Sequence, residues 1–195
     1  VIGGYFAGLI LKEVRFKAYI SQAGNFKAEC SSPFDMEFGK CHFADPSQEE
    51  ALEEYLLDLK QKGESAGGKV KLHIKNLAPG LGEPVFDKLK ADLAKAMTGI
   101  GSCVGVDFGL GETFVSTPGS AATASRESFG GIEAGISNGE EIVMTLYFRP
   151  PSTVGEKARQ GRHDPCILPR VLPVVEAMAK ITAADHFLRQ NAYQI

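Results

Sequence analysis

Three things are scarce in this 195-residue chain, and each removes a class of function. Positive charge is not in excess: 21 lysines and arginines against 24 acidic residues leave a formal net charge of −3. Bulk attraction to nucleic acid is therefore excluded, and any anion must be held by a local basic cluster. Long apolar runs are missing, since none reaches the roughly 18 residues a membrane span needs. Cysteine is sparse, at positions 30, 41, 103 and 166, with no C-x-x-C spacing. That argues against a disulfide framework and for a reducing, cytoplasmic setting, with each cysteine a small buried hydrophobe. A basic leader is also absent. The opening "VIGGYFAGLILKEV" has the apolarity of a signal-peptide core, but it begins mid-pattern without methionine, as a piece cut from a longer chain would.

What is present is ordinary for a soluble protein with a real core: 44% hydrophobic and 23% charged residues. The pattern predicts a single domain over 1–195. A buried helix is expected over 1–12 and an alternating strand over 14–21, then an irregular stretch to 44. "DPSQEEALEEYLLDLKQKGE" predicts a helix with a Ser47–Glu50 capping box, one face of Leu52, Tyr55, Leu56 and Leu59, and a stop at Gly63. "GKVKLHIKNL" alternates, with Val70, Leu72 and Ile74 on one side and His73 on the other, which places His73 in solvent. "APGLGEPVF" feeds a helix with Pro84 in its first turn and Phe86, Leu89, Leu93 and Met97 on its apolar face. Strands are expected over 102–109 and 140–150, and long polar loops over 110–131 and 151–161. A final amphipathic helix covers 168–190, with Val171, Val174, Val175, Met178, Ile181 and Leu188 toward the core. This mixed order predicts an α+β fold, an antiparallel sheet packed with helices.

Three polar clusters carry chemistry. "GRHDPC" (161–166) concentrates an arginine, a histidine, an aspartate and a cysteine just before the last helix. It admits a metal site, an acid/base site or a merely polar approach to the helix. As a metal site it lacks a second ligand pair such as C-x-x-C, and ligands at i, i+1 and i+3 point apart. "GGIEAGISNG" (130–139) is a glycine-rich turn whose backbone N–H groups can approach an anion or a planar ring. It is not a P-loop, because no Gly-Lys-Ser/Thr follows. "RPPST" (149–153) supplies a cation, two rigid prolines and two hydroxyls. If Arg149, Arg162, the hydroxyls and the glycine turn converge, they form an anion and polar-ring site. A solvated rim is the bland alternative.

These strings, read in order, resemble the chorismate synthase family. The resemblance rests on "GRHDPC-x-x-P-R-x-x-P-V-V-E-A-M" with "ADHFLRQ" after it, on "GGIEAGISNGEEI" followed by "RPPST", on "GLGEPVFDKLKADLAKAM", on "VGVDFG" and on "YISQAG". It covers nearly the whole chain as the C-terminal portion of such a protein, and implies a layered β-α-α-β sandwich. The family is longer at its N-terminus. That part would carry two histidines treated as catalytic, an Arg-Ser-Ser flavin motif and several substrate arginines, so this chain alone is expected to be inactive. The loops at 110–129 and 151–161 are short for the family, and Arg149 stands where it usually has lysine.

The resemblance implies a lyase of the shikimate pathway that converts 5-enolpyruvylshikimate 3-phosphate to chorismate and phosphate by 1,4-anti elimination. Reduced FMN is the cofactor, supplied by an external flavin reductase or by NADP(H)-dependent reduction, and the assembly is a homotetramer. Carried over by position, Gly101, Ser102, Ala134, Arg149, Pro150, Pro151, Ser152, Thr153 and Arg162 contact the cofactor. Ala134 must be small to clear the ring. Arg162 and Asp164 meet the substrate, with Asp164 handling protons and His163 orienting its neighbours. Two other readings remain: a metal-dependent hydrolase centred on His163, Asp164 and Cys166, and a non-catalytic module that assembles through the C-terminal helix.

Overall fold

Alternation in the first two strand patterns has a direct structural result. β1 (Arg15–Ala23) and β3 (Gly68–Lys75) pair antiparallel, and Ala18 and Ile20 join Val70, Leu72 and Ile74 on one buried face. In this computed structural model, which describes residues 1–160 and 163–193, β7 (Ile142–Phe148) lies on the other side of β3. Its inward residues Ile142, Met144, Leu146 and Phe148 extend the same face. The short β2 (Phe26–Lys27) and β4 (Cys103–Phe108) form the edges, giving an antiparallel sheet of order β2-β1-β3-β7-β4. A separate two-stranded hairpin is made by β5 (Ile132–Glu133) and β6 (Ile136–Ser137).

Helix α6 (Leu168–Ala192) crosses β1 and β3, α3 (Leu89–Thr98) packs on β4 and α6, and α1 (Ile2–Ile10) packs on α6. The expected α+β class is what forms: helices layered over the inner face of the five-stranded antiparallel sheet. α2 (Glu49–Lys62) buries Leu52, and its partly buried Tyr55 lies against Phe26 of the sheet edge. The 110–131 stretch expected as loop folds into single turns, among them α4 (Gly119–Ala122), and α5 (Glu156–Gln160) interrupts the polar loop after β7. Among the described residues, no helix is long and apolar enough to cross a membrane.

Several expectations are corrected. The first helix is not buried all round, because Ile2, Tyr5, Phe6 and Leu9 are exposed. It meets α6 through small residues instead: a Cβ on Gly4 would lie 2.5 Å from the Cα of Ala177. The capping box does not form. Asp45 does the capping, accepting from the Ser47 amide at 2.9 Å ahead of a short 3-10 turn, and its carboxyl is held below its usual range by hydrogen bonds from Ser47 and Gln48. Pro84 and the 86% exposed Phe86 lie before α3 rather than in it. In α6, Ile181 and Leu188 face outward. An alanine stripe (Ala179, Ala183, Ala184) takes the inner positions, because small side chains let neighbouring helices approach. Finally, His73 is on the outer sheet face, as alternation requires, yet it is buried. It stacks on Tyr19, which is itself covered by Phe38, and its Nδ1 lies 2.5 Å from Glu141. Burial pushes the His73 imidazole below its ordinary pKa, with the Glu141 carboxylate opposing.

Candidate functional site

The "RPPST" segment leaves the sheet where β7 ends. Its first residue is tied back by the Arg149 amide, which donates to the Ser102 carbonyl at 3.0 Å. Ser102 adopts φ 70°, a conformation L-residues rarely take. The Gly101–Ser102 turn and the start of "RPPST" are therefore neighbours. Arg149, Pro150, Ser152 and Thr153 are exposed, and Arg149 folds its guanidinium back toward the Pro150 carbonyl at 3.4 Å. Farther along, the Pro151 carbonyl accepts from the Ser65 hydroxyl at 2.7 Å, and the Gly155 amide donates to the Gly63 carbonyl at 2.8 Å.

The second segment rests on the same loop. His163 is buried, with Nε2 2.8 Å from the Glu64 carbonyl. A carbonyl only accepts, so Nε2 is the donor, and the buried Nδ1 has no partner among the described residues. The Pro165 carbonyl accepts from the Ala66 amide at 2.8 Å. Asp164 is paired with Arg170 at 2.8 Å, at the rim of an open cleft of about 380 Å³ whose lining includes Cys41, Leu56, His163 and Cys166. Cys41 and Cys166 are buried thiols, and burial pushes both up from the ordinary cysteine range, as expected of small core residues. Cys30 and Cys103 are only half-buried. Arg162 lies outside the described residues.

The glycine turn is elsewhere. Ala134 and Gly135 are the two central residues of the β5–β6 hairpin, with φ of 52° and 88°, the positive pair that a type I′ turn demands. Ala134 is exposed. The turn is anchored by Ser137, whose buried hydroxyl donates to the Ala78 carbonyl at 2.7 Å and accepts from the Leu81 amide at 2.9 Å. Gly130 accepts from Val143, near the start of β7, whereas Ser102 and Arg149 sit at its far end. Seven residues of strand separate the two regions by about 20 Å. The hydroxyls, Arg149 and Asp164 thus share one supporting loop, and the glycine turn does not join them.

The metal reading loses its geometric support. Among the described residues no group of three or more His, Cys, Asp or Glu side chains is placed to hold an ion. His163 is committed to a carbonyl and Asp164 to Arg170. What the motif reading missed is the loop 63–66, which braces both segments. Its trace in the sequence is the Gly67–Gly68 pair ahead of β3, since adjacent glycines at a strand start mark a close backbone approach. A Cβ on Gly67 would lie 2.5 Å from the Phe148 carbonyl, and one on Gly68 1.9 Å from that of Gln22.

The profile of the chorismate synthase family matches residues 1–188. The chorismate synthase of Christiangramia forsetii is 34% identical over 222 aligned positions, which take in 100% of this chain and 62% of that protein. That of Synechocystis is 43% identical over 160 positions, covering 69% of this chain and 44% of the relative. A crystal structure of chorismate synthase superposes with a TM-score of 0.79 over 96% of this chain and 61% of that one; at 24% identity this shows a shared fold. The chain spans about three-fifths of the length of Christiangramia forsetii chorismate synthase. With the family profile matched over almost every residue, in a fold shared with a solved chorismate synthase, this chain belongs to the chorismate synthase family.

Proposed function

We propose that this chain carries part of the site of a lyase of aromatic amino acid biosynthesis. The reaction is the 1,4-anti elimination of phosphate from 5-enolpyruvylshikimate 3-phosphate to give chorismate. Reduced FMN as cofactor, its supply by an external flavin reductase or NADP(H)-dependent reduction, a homotetramer and a cytoplasmic location belong to the same reading. Family membership supports the reaction class. The observation in this chain that supports the site is that the cation-and-hydroxyl segment and the "HDPC" segment hang from one loop.

The exposed donors fit an anionic, polar cofactor. Arg149 offers a guanidinium, and Ser152 and Thr153 offer hydroxyls. Gly101 has open space where a Cβ would point, so a ligand can approach its backbone. When bound, reduced FMN supplies the electron density that eases the departure of phosphate. The side chains hold charge and move protons. Arg149, with Arg162, clamps phosphate and carboxylate groups. Asp164, at the cleft rim, is the proton handler, held in place by Arg170. The glycine-rich segment that holds Ala134 meets β7 at its start and Ser102 meets it at its end, with about 20 Å of strand between, so Ala134 would touch the same cofactor only if that molecule spans this distance. The test is anaerobic incubation, with reduced FMN and the phosphorylated substrate, of a complete chorismate synthase that carries these 195 residues, beside the 195 residues alone, for which no turnover is expected. Stoichiometric chorismate and phosphate are expected from the complete protein; phosphate release without chorismate would mean a hydrolase instead.

A further inference from the structure

We propose that residues 63–66 are a positioning device that fixes the two halves of the site relative to each other, with Ser65 as the positioning residue for the Ser152 and Thr153 hydroxyls. Four consecutive residues each make one bond outward. The Gly63 carbonyl accepts from the Gly155 amide, the Glu64 carbonyl from His163 Nε2, the Ser65 hydroxyl donates to the Pro151 carbonyl, and the Ala66 amide donates to the Pro165 carbonyl. All four fall between 2.7 and 2.8 Å. Two bonds hold 151–155 and two hold 163–165. The loop itself is fixed at both ends. Gly63 closes α2 in the left-handed conformation at φ 69°, and Gly68 opens β3 against the Gln22 backbone.

Ser65 is singled out because three of the four loop groups are backbone and its hydroxyl is not. Its partner is equally specific. Proline fixes φ near −65°, so in Pro150-Pro151 the remaining backbone freedom is ψ. The Pro151 carbonyl direction defines ψ at that residue, and with it the plane of the peptide that launches Ser152. One hydroxyl bond on that carbonyl therefore sets where the next two hydroxyls point. Ser152 and Thr153 are both exposed. The pairing makes chemical sense if those hydroxyls present donors to a phosphate-bearing ligand, and in that respect the inference rests on the function proposed above.

The experiment uses a complete chorismate synthase that carries these 195 residues, with the variants Ser65→Ala and Ser65→Thr. The ligand-free readout is amide exchange at Gly155 and Ala66, each hydrogen-bonded across the loop. Loss of one hydrogen bond should speed Gly155 exchange about fivefold in Ser65→Ala. The second readout is titration with FMN: the dissociation constant should rise about five- to tenfold in Ser65→Ala, with kcat at saturating FMN within twofold of the parent. Ser65→Thr, which keeps the hydroxyl, should restore both. Unchanged exchange in Ser65→Ala would overturn the inference, as would equal loss of FMN affinity in the threonine variant. If exchange speeds up but the parent takes no FMN, the coupling holds and the flavin reading of this site fails.

Discussion

Gly67→Ala probes the bracing of the site with one methyl group. A Cβ there would stand 2.5 Å from the Phe148 carbonyl oxygen, 2.9 Å from the Pro150 nitrogen and 3.0 Å from its Cδ. Ordinary contact begins at 3.4 Å, so the worst approach is short by about 0.9 Å. The groups in the way are backbone and a proline ring, neither of which can swing aside. Either the loop withdraws from "RPPST", stretching the Ser65–Pro151 and Gly63–Gly155 bonds, or β7 gives way at its end. Overpacking of this kind costs about 1–3 kcal/mol. For a chain of this size that is a loss of roughly 2–12 °C in melting temperature, read by circular dichroism. Gly101→Ala is the control, since its Cβ would meet nothing within 4 Å; it should stay within about 0.5 kcal/mol of the parent. If the two variants melt together at the parental temperature, the loop does not bear on Phe148 and Pro150, and the bracing argument fails.

Other outcomes follow from the same geometry. Ala134→Gly should stabilise the chain by up to about 1 kcal/mol by relieving a left-handed alanine, seen as a higher melting temperature; no gain would mean the turn is not the one described. Ala134→Leu in the full chain should weaken FMN binding only if the cofactor reaches the hairpin, and a titration decides. For His73 the sign is fixed by burial: a base with a depressed folded pKa contributes fully above about pH 6.5 and loses that contribution as pH falls below it. Melting of His73→Phe should therefore gain on the parent between pH 7 and 5, and a constant gap would contradict it. Cys41 and Cys166, buried with raised pKa values, should react with a thiol reagent at pH 8 more slowly than free cysteine; labelling of the native chain at the free-thiol rate would refute their burial.

The strands were legible because alternation maps directly onto a half-buried sheet. The helix faces were less so. Ile181 and Leu188 fit an apolar pattern, yet small residues win the inner positions of α6 where helices crowd, and apolarity alone does not reveal that preference. His73 looked solvated because alternation tells which side of the sheet a residue takes and not what covers that side; Tyr19, with Phe38 stacked over it, does so here. In the site, "RPPST" and "GRHDPC" stood out by residue type. Their common support did not, since three of its four loop groups are backbone N–H or C=O and any sequence supplies those. The separation of Ala134 from Arg149 was readable in principle: seven extended residues between them span about 20 Å.

Asp164, paired with Arg170 at the rim of the cleft, is the residue proposed above to move protons in the elimination. The direct measurement is single-turnover chorismate formation by Asp164→Asn in a complete chorismate synthase that carries these residues, with reduced FMN and substrate both saturating. Asparagine keeps the size and the hydrogen bonding but cannot relay a proton, and loss of a general acid/base group costs about two to four orders of magnitude. A fall of that size is expected, with FMN affinity unchanged. A variant that forms chorismate at the parental rate with FMN fully bound would contradict it, and Asp164 would then be only a polar residue that precedes a helix.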